Sequence, residues 1–140
     1  MEAIVEKARR FFEGLNHLGA ARPILRELDQ KVQFLLEEGE PFFLEVSGGV
    51  LSLREGRVEP DLKDSLQITR FQTDQETLER LFSRKIRYSD ALIPSGPGMG
   101  RLRLIEKWMF KKQVVNWLGR LVRAGQEGDL WSETREPGGP

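Results

Sequence analysis

Five short segments between Val32 and Glu106 place an apolar residue at every second position. They are Val32, Phe34, Leu36; Phe42, Leu44, Val46; Leu51, Leu53; Leu66, Ile68; and Leu102, Leu104. The positions between them are mostly polar, among them Gln33, Glu45, Ser52, Gln67 and Arg103. A strand turns successive side chains to opposite faces, so this alternation specifies a sheet with one apolar face and one wet face. Such a sheet needs a cover on its apolar side. The chain therefore has to supply helices, and whether they fill the space beneath is the functional question.

Residues 2–16 have helical periodicity, with Ile4, Val5, Ala8, Phe11, Phe12 and Leu15 on one side. Pro23 suits the first turn of a second helix, which runs to about Asp29. Strands over Val32–Leu36 and Phe42–Val46 then pair across a Gly-Glu-Pro turn, and Gly48-Gly49 turns the chain into Val50–Arg54. A polar connection over residues 55–63 leads to a strand at Leu66–Arg70. Thr73 and Glu76 have capping-box spacing ahead of a helix carrying Leu78, Leu81 and Phe82. Tyr88–Ile93 reads as a short helix, residues 94–100 as a loop and Arg101–Glu106 as the fifth strand. The longest helix spans Lys107–Ala124, with Gly125 as its stop. The expected organisation is one domain over residues 1–124: helices in 1–30, sheet and helices in 31–106, and a closing helix in 107–124. Residues 125–140 are expected to form a flexible tail.

The closing helix is the strongest local signal. Trp108, Met109, Phe110, Val114, Val115, Trp117, Leu118, Leu121 and Val122 exceed the stripe that one sheet can cover. Three readings follow: a helix buried on two sides, a lid or lipid-contacting helix with cations toward acidic headgroups, or a nucleic-acid contact. The whole chain has zero formal net charge, but residues 101–123 hold seven basic residues against Glu106 alone. No recognised nucleic-acid motif accompanies them, and nucleic acid is not an expected partner.

Catalysis has no positive support. The chain has no cysteine, hence no thiolate nucleophile or thiolate metal site. His17 is the only histidine, and no serine sits in a nucleophile-elbow pattern. Glu37, Glu38 and Glu40 cluster at a hairpin tip, where solvation is the ordinary explanation, and Asp61 and Asp64 lack the ligand density of a calcium loop. The Ser-Gly-Pro-Gly-Met-Gly run at 95–100 has no Gly-Lys-Ser/Thr ending and no preceding strand, so it reads as a connection and not a phosphate loop. No apolar run approaches the ~20 residues of a spanning helix, and the start of the chain lacks a signal-peptide layout. A cytoplasmic location is the expectation.

The order of elements, together with three short stretches, resembles the sterol carrier protein 2 family over roughly residues 25–121. The stretches are Asp64-Ser65-Leu66-Gln67-Ile68-Thr69 leading to Leu78-Glu79-Arg80-Leu81-Phe82, then Lys85 with Ser89-Asp90-Ala91-Leu92, then Gly100-Arg101-Leu102-Arg103-Leu104. The chain departs from the family pattern at Arg84, where glycine is usual before the lysine, and near Tyr88, where proline is usual. Residues 94–99 read as an insertion. The resemblance implies an α+β fold: a five-stranded, largely antiparallel sheet, helices on one face, and an apolar tunnel between. It also implies binding of sterols, fatty acids, fatty acyl-CoA or phospholipids without chemistry.

On this basis the expected function is non-enzymatic lipid binding, with a lipid or fatty-acyl ligand, no cofactor and no metal. The expected lining is Phe34, Leu44, Leu53, Ile68, Phe82, Leu102, Leu104, Phe110, Val114, Trp117 and Leu118, with Lys111 or Lys112 at the headgroup. Peripheral membrane contact is a further expectation. The alternative is an accessory module with a filled core, in which Leu35, Phe43 and Ile105 form a dimer or partner patch. A third reading, acyl hydrolysis, requires His17 to meet a serine and a carboxylate inside the pocket.

Overall fold

The architecture of the computed structural model follows from how the first helix meets the sheet. It describes residues 3–58, 67–93, 96–97 and 99–131. Helix α1 (Ile4–Gly14) buries Ile4, Ala8, Phe11 and Phe12, and a 3-10 turn at Leu15–His17 continues it. The short α2 (Arg22–Leu25) has proline in its first turn, where a missing N–H costs nothing. Strands β1 (Gln30–Leu36), β2 (Phe42–Ser47) and β3 (Val50–Glu55) form an antiparallel meander. Gly48 and Gly49, at φ +59° and +81°, make the two-residue turn between β2 and β3 that only residues tolerant of positive φ enter cheaply.

Strand β4 (Ile68–Thr73) pairs with β1 in parallel and with the two-residue β5 (Arg103–Leu104) antiparallel. The sheet order is β3-β2-β1-β4-β5, a mixed sheet with one parallel pair. A parallel partner requires the chain to return from β3 across the sheet. That return starts over the wet face, where the buried Gln33 side chain donates to the Phe42 and Gly56 carbonyls and accepts from Val58 N–H.

The fourth strand differs from its expected phase. Register places Phe71 beside Phe34 and Leu104, and Thr69 beside Val32, on the helix-covered face. Ile68 pairs with Lys31 and so faces the other side. Leu66 lies outside the described residues. The physical reason is that Phe71 continues the aromatic row across β2 and β1, and a one-residue slip reverses every side chain of a strand. The strand therefore runs to Thr73, and the cap of α3 (Gln75–Phe82) moves from Thr73 to Asp74, whose carboxylate accepts from Thr77 N–H at 2.7 Å.

Beneath the helices the rings pack closely. Phe34 stacks on Phe42 and Phe71 with centroids at 5.2 and 5.8 Å, and on Phe12 at 6.0 Å. Phe11 stacks on Phe82 at 4.7 Å. These spacings are contact distances, and no acyl chain fits between those rings. The edge of β3 is covered as well: Glu13 accepts from Leu53 N–H, and Asn16 both accepts from and donates to the Leu51 backbone. A covered edge does not template pairing with another sheet.

Helix α4 (Tyr88–Leu92) precedes β5, and α5 (Trp108–Glu127) closes the fold. Gly125 lies within α5 and does not end it. Past the helix, Leu130 is buried, with its methyl groups 3.4 Å from where a side chain at Gly14 would begin. The chain expected to fray from residue 125 therefore stays packed through Trp131, whose ring lies 5.9 Å from the Lys7 ammonium.

Candidate functional site

Three helix ends build a groove of about 790 Å³ between α4 and α5. Its floor exists because α5 carries Gly119, where an added Cβ would stand 2.8 Å from the Tyr88 ring. Tyr88 lies across that gap and donates its hydroxyl to the Val115 carbonyl at 2.9 Å. Burial pushes the Tyr88 phenol well above its ordinary range, so it stays protonated and structural. At one end, Leu92, Ile93 and Trp108 supply apolar walls. At the other, Arg84, Arg87 and Arg123 border the groove, with Gln126 donating to the Leu81 and Ile86 carbonyls behind them.

Arg84 has an unusual backbone. After α3, Arg84 N–H reaches the Leu81 carbonyl and Lys85 N–H reaches the Arg80 carbonyl, the two bonds of a Schellman helix ending. That ending needs a left-handed residue, and Arg84 supplies it at φ +65°. Glycine fits this place without the Cβ clash, which costs another residue about 1–2 kcal/mol. Arg84→Gly is therefore expected to raise stability by about 1 kcal/mol in urea unfolding; a loss would show that the arginine side chain stabilises the fold here.

Four arginines border the groove, and two of them are ion-paired. Arg123 pairs with Glu127, and Arg120 forms a two-pronged pair with Glu27 that ties the segment after α2 to α5. This pairing, through the Arg120 hydrogen bond, holds the Glu27 carboxyl below its usual range. Arg84 and Arg87 make no ion pair among the described residues. The lining has no histidine, cysteine or aspartate, and its one carboxylate is the Glu127 that Arg123 engages. The groove can hold an anion; it has no nucleophile–base pair.

None of the expected lining residues borders this groove. Phe34, Leu44, Leu53, Phe82, Leu102, Val114, Trp117 and Leu118 are buried in the hydrophobic core. Trp117 also donates its indole N–H to the Ile24 carbonyl, fixing α5 to α2. Ile68 is buried on the opposite sheet face, Leu104 is half-buried and Phe110 is exposed. The Lys111 ammonium turns inward to the Ile68 carbonyl at 2.7 Å, and burial lowers its pKa. Lys112 is exposed.

A second, smaller groove of about 330 Å³ lies along α3, bordered by Glu76, Glu79, Arg80, Ser83, Lys85 and Trp131. His17 is exposed on the 3-10 turn and borders neither groove, so the constellation required for acyl hydrolysis is not assembled there. Among the described residues no cluster of three His, Cys, Asp or Glu side chains could hold a metal ion, and no helix is long and apolar enough to cross a membrane. Leu35 and Phe43 are half-buried and Ile105 is 44% exposed on the wet sheet face. The groove residues were hidden from sequence reasoning because Arg84 and Arg87, in the connection between α3 and α4, and Trp108, at the start of α5, come from two segments distant in the chain. The one available signal was Arg84 standing where the family pattern has glycine.

No family model matches the sequence, and no curated protein matches it. Solved structures do. A sterol carrier protein 2 crystal structure superposes with TM-score 0.60 at 16% identity, covering 86% of this chain and 94% of that one. A conserved hypothetical protein of Thermus thermophilus, whose description suggests a sterol carrier protein, gives 0.53 at 16% identity, over 86% and 85% of the two chains. A UbiJ-SCP2 ubiquinone synthesis protein gives 0.55 at 15% identity, over 93% and 90%. The five-stranded sheet with its helices on one face is thus the fold of sterol carrier protein 2.

Proposed function

We propose that this protein is a non-catalytic lipid-binding module that holds an anionic amphiphile, of the fatty-acid or fatty-acyl class, in the α4–α5 groove. One observation carries the reading: the groove sets Leu92, Ile93 and Trp108 at one end and, at the other, Arg84 and Arg87, which make no ion pair among the described residues. Arg84 is kept in a conformation that favours glycine, and strain of that kind concentrates at functional positions. The shared fold with a sterol carrier protein supports a lipid as the ligand.

Magnitudes give the head group the deciding role. Full burial of an acyl chain contributes ~0.8 kcal/mol per methylene. An open groove covers roughly half of that surface, so ten methylenes contribute about 4 kcal/mol, near millimolar alone. Charge-assisted hydrogen bonds from Arg84 and Arg87, at about 1.5–3 kcal/mol each, bring binding into the micromolar range before ordering costs. Displacement of a fluorescent fatty acid is expected to detect this binding. Arg84→Gly and Arg87→Ala are each expected to weaken it about tenfold, while a neutral monoacylglycerol binds poorly to all three proteins. Equal displacement by the charged and neutral lipids would defeat the proposal.

The packed phenylalanine cluster favours a second reading, an accessory module with a filled core. Native mass spectrometry of the purified protein separates the two. A retained fatty-acyl mass supports lipid binding, and a bare chain that also fails to displace the probe supports the accessory module.

A further inference from the structure

We infer that the amino-terminal turn of α5 docks this protein on an anionic lipid bilayer. Trp108, Met109 and Phe110 are consecutive and exposed by 49%, 74% and 74%. Successive helix positions differ by about 100°, so these three side chains surround the first turn of the helix, an arrangement that suits entry of the helix end into an interface better than a narrow groove of a soluble partner. Ile105, 44% exposed, precedes them, and Ile93, 64% exposed, lines the α4–α5 groove together with Trp108. Three large apolar side chains left in water at the free end of one helix mark a contact surface.

Charge selects the occupant. Lys107, Lys112 and Arg103 flank this turn along the chain, all exposed and with no acidic partner among the described residues. The one carboxylate in this stretch, Glu106, is engaged by the Arg70 backbone and side chain. A second copy of this chain would bring the same three cations against themselves across a two-fold contact, whereas anionic headgroups neutralise them. Aromatic and aliphatic side chains entering the interface beneath a ring of lysine and arginine is the arrangement that interfacial binding rewards. The six remaining apolar residues of α5 that exceed one stripe are all buried, so the excess seen in the sequence is concentrated at this turn.

Co-sedimentation with vesicles of phosphatidylcholine alone, and of phosphatidylcholine mixed with phosphatidylglycerol, tests the inference at low and high salt. Binding is expected to the mixed vesicles and to weaken with salt. The triple variant Trp108→Ala, Met109→Ala, Phe110→Ala is expected to lose at least tenfold in partitioning. The double variant Lys107→Glu, Lys112→Glu is expected to lose about fivefold or more per cation. Both change exposed side chains, and unaltered circular dichroism and melting temperature confirm the fold. No binding to mixed vesicles, or binding unchanged in both variants, overturns the inference. So does a dimer in solution that the triple variant dissociates, which would assign the patch to a second copy. Vesicle binding without fatty-acid displacement would leave this inference standing and remove the groove reading.

Discussion

Phe34→Ala is expected to destabilise the protein by about 3–5 kcal/mol. Phe34 is 2% exposed at the centre of the sheet, and its ring is in contact with Phe12 of α1, Phe42 of β2 and Phe71 of β4. Truncation removes the ring's burial and leaves a cavity that three rigid rings on three different elements cannot collapse to fill. Urea unfolding should show a lower midpoint with an unchanged slope. The size of the loss bears on function as well as stability. If this part of the interior were an open tunnel, the ring would have fewer packing partners to lose, and the loss would fall well below about 3 kcal/mol. It would then also recover on adding a fatty acid, since a ligand that binds only the folded state stabilises it. A large loss that fatty acid does not restore is the outcome expected from a filled centre.

Gly125→Val is expected to cost about 3 kcal/mol, at the upper end for overpacking. A Cβ at Gly125 would stand 2.6 Å from the Phe11 ring tip and 3.0 Å from the next ring carbon. Phe11 has nowhere to go: it is fully buried, stacked on Phe82 and edge-on to Phe12. Helix propensity alone predicts the opposite sign, since replacing an interior glycine by alanine gains up to about 1 kcal/mol. Gly125→Ala thus sets propensity against a steric clash, and a net loss is expected. Gly19→Ala, where nothing lies within 4 Å, provides the comparison and should change stability little. Stabilisation by Gly125→Ala in thermal melts would show that α1 and α5 do not approach this closely.

These two residues show where periodicity stops carrying information. The alternation of Val32, Phe34, Leu36, Phe42, Leu44, Val46, Leu51 and Leu53 reappears in the structure as one buried sheet face, because a period of two leaves no other way to bury those residues together. In the sequence leading into and through β4 the apolar residues break phase, with Leu66 and Ile68 at even positions and Phe71 at an odd one. Local pattern has no means of choosing between them. The choice was made by the neighbouring strand, whose register sets Phe71 beside Phe34. Gly125 was equally ambiguous: a glycine after a periodic stretch signals a helix end, and the same residue inside a helix signals close approach. Only Phe11, remote from it along the chain, distinguishes the two.

The closing helix divides in the same way. Its nine large apolar residues were visible as more than one sheet requires. Six of them are buried and three, at the amino-terminal turn, face solvent. Sequence reasoning detected the surplus, but its location depends on where β5 releases the chain. Lys111 illustrates the limit for a single side chain. Its place in the basic segment suggested a headgroup contact, while the fold directs its ammonium to the Ile68 carbonyl left free beyond the two-residue β5.

By itself the sequence determined that this chain makes a one-faced sheet of five strands under helices, because alternation and helical spacing constrain which side chains can leave water together. The tertiary structure decided what occupies the space between. Six phenylalanines from α1, α3 and three strands meet at contact distance there, and an accessible groove forms between α4 and α5. Both outcomes depend on distances between segments remote in sequence, and periodicity, which reports direction along one element, contains no such distance.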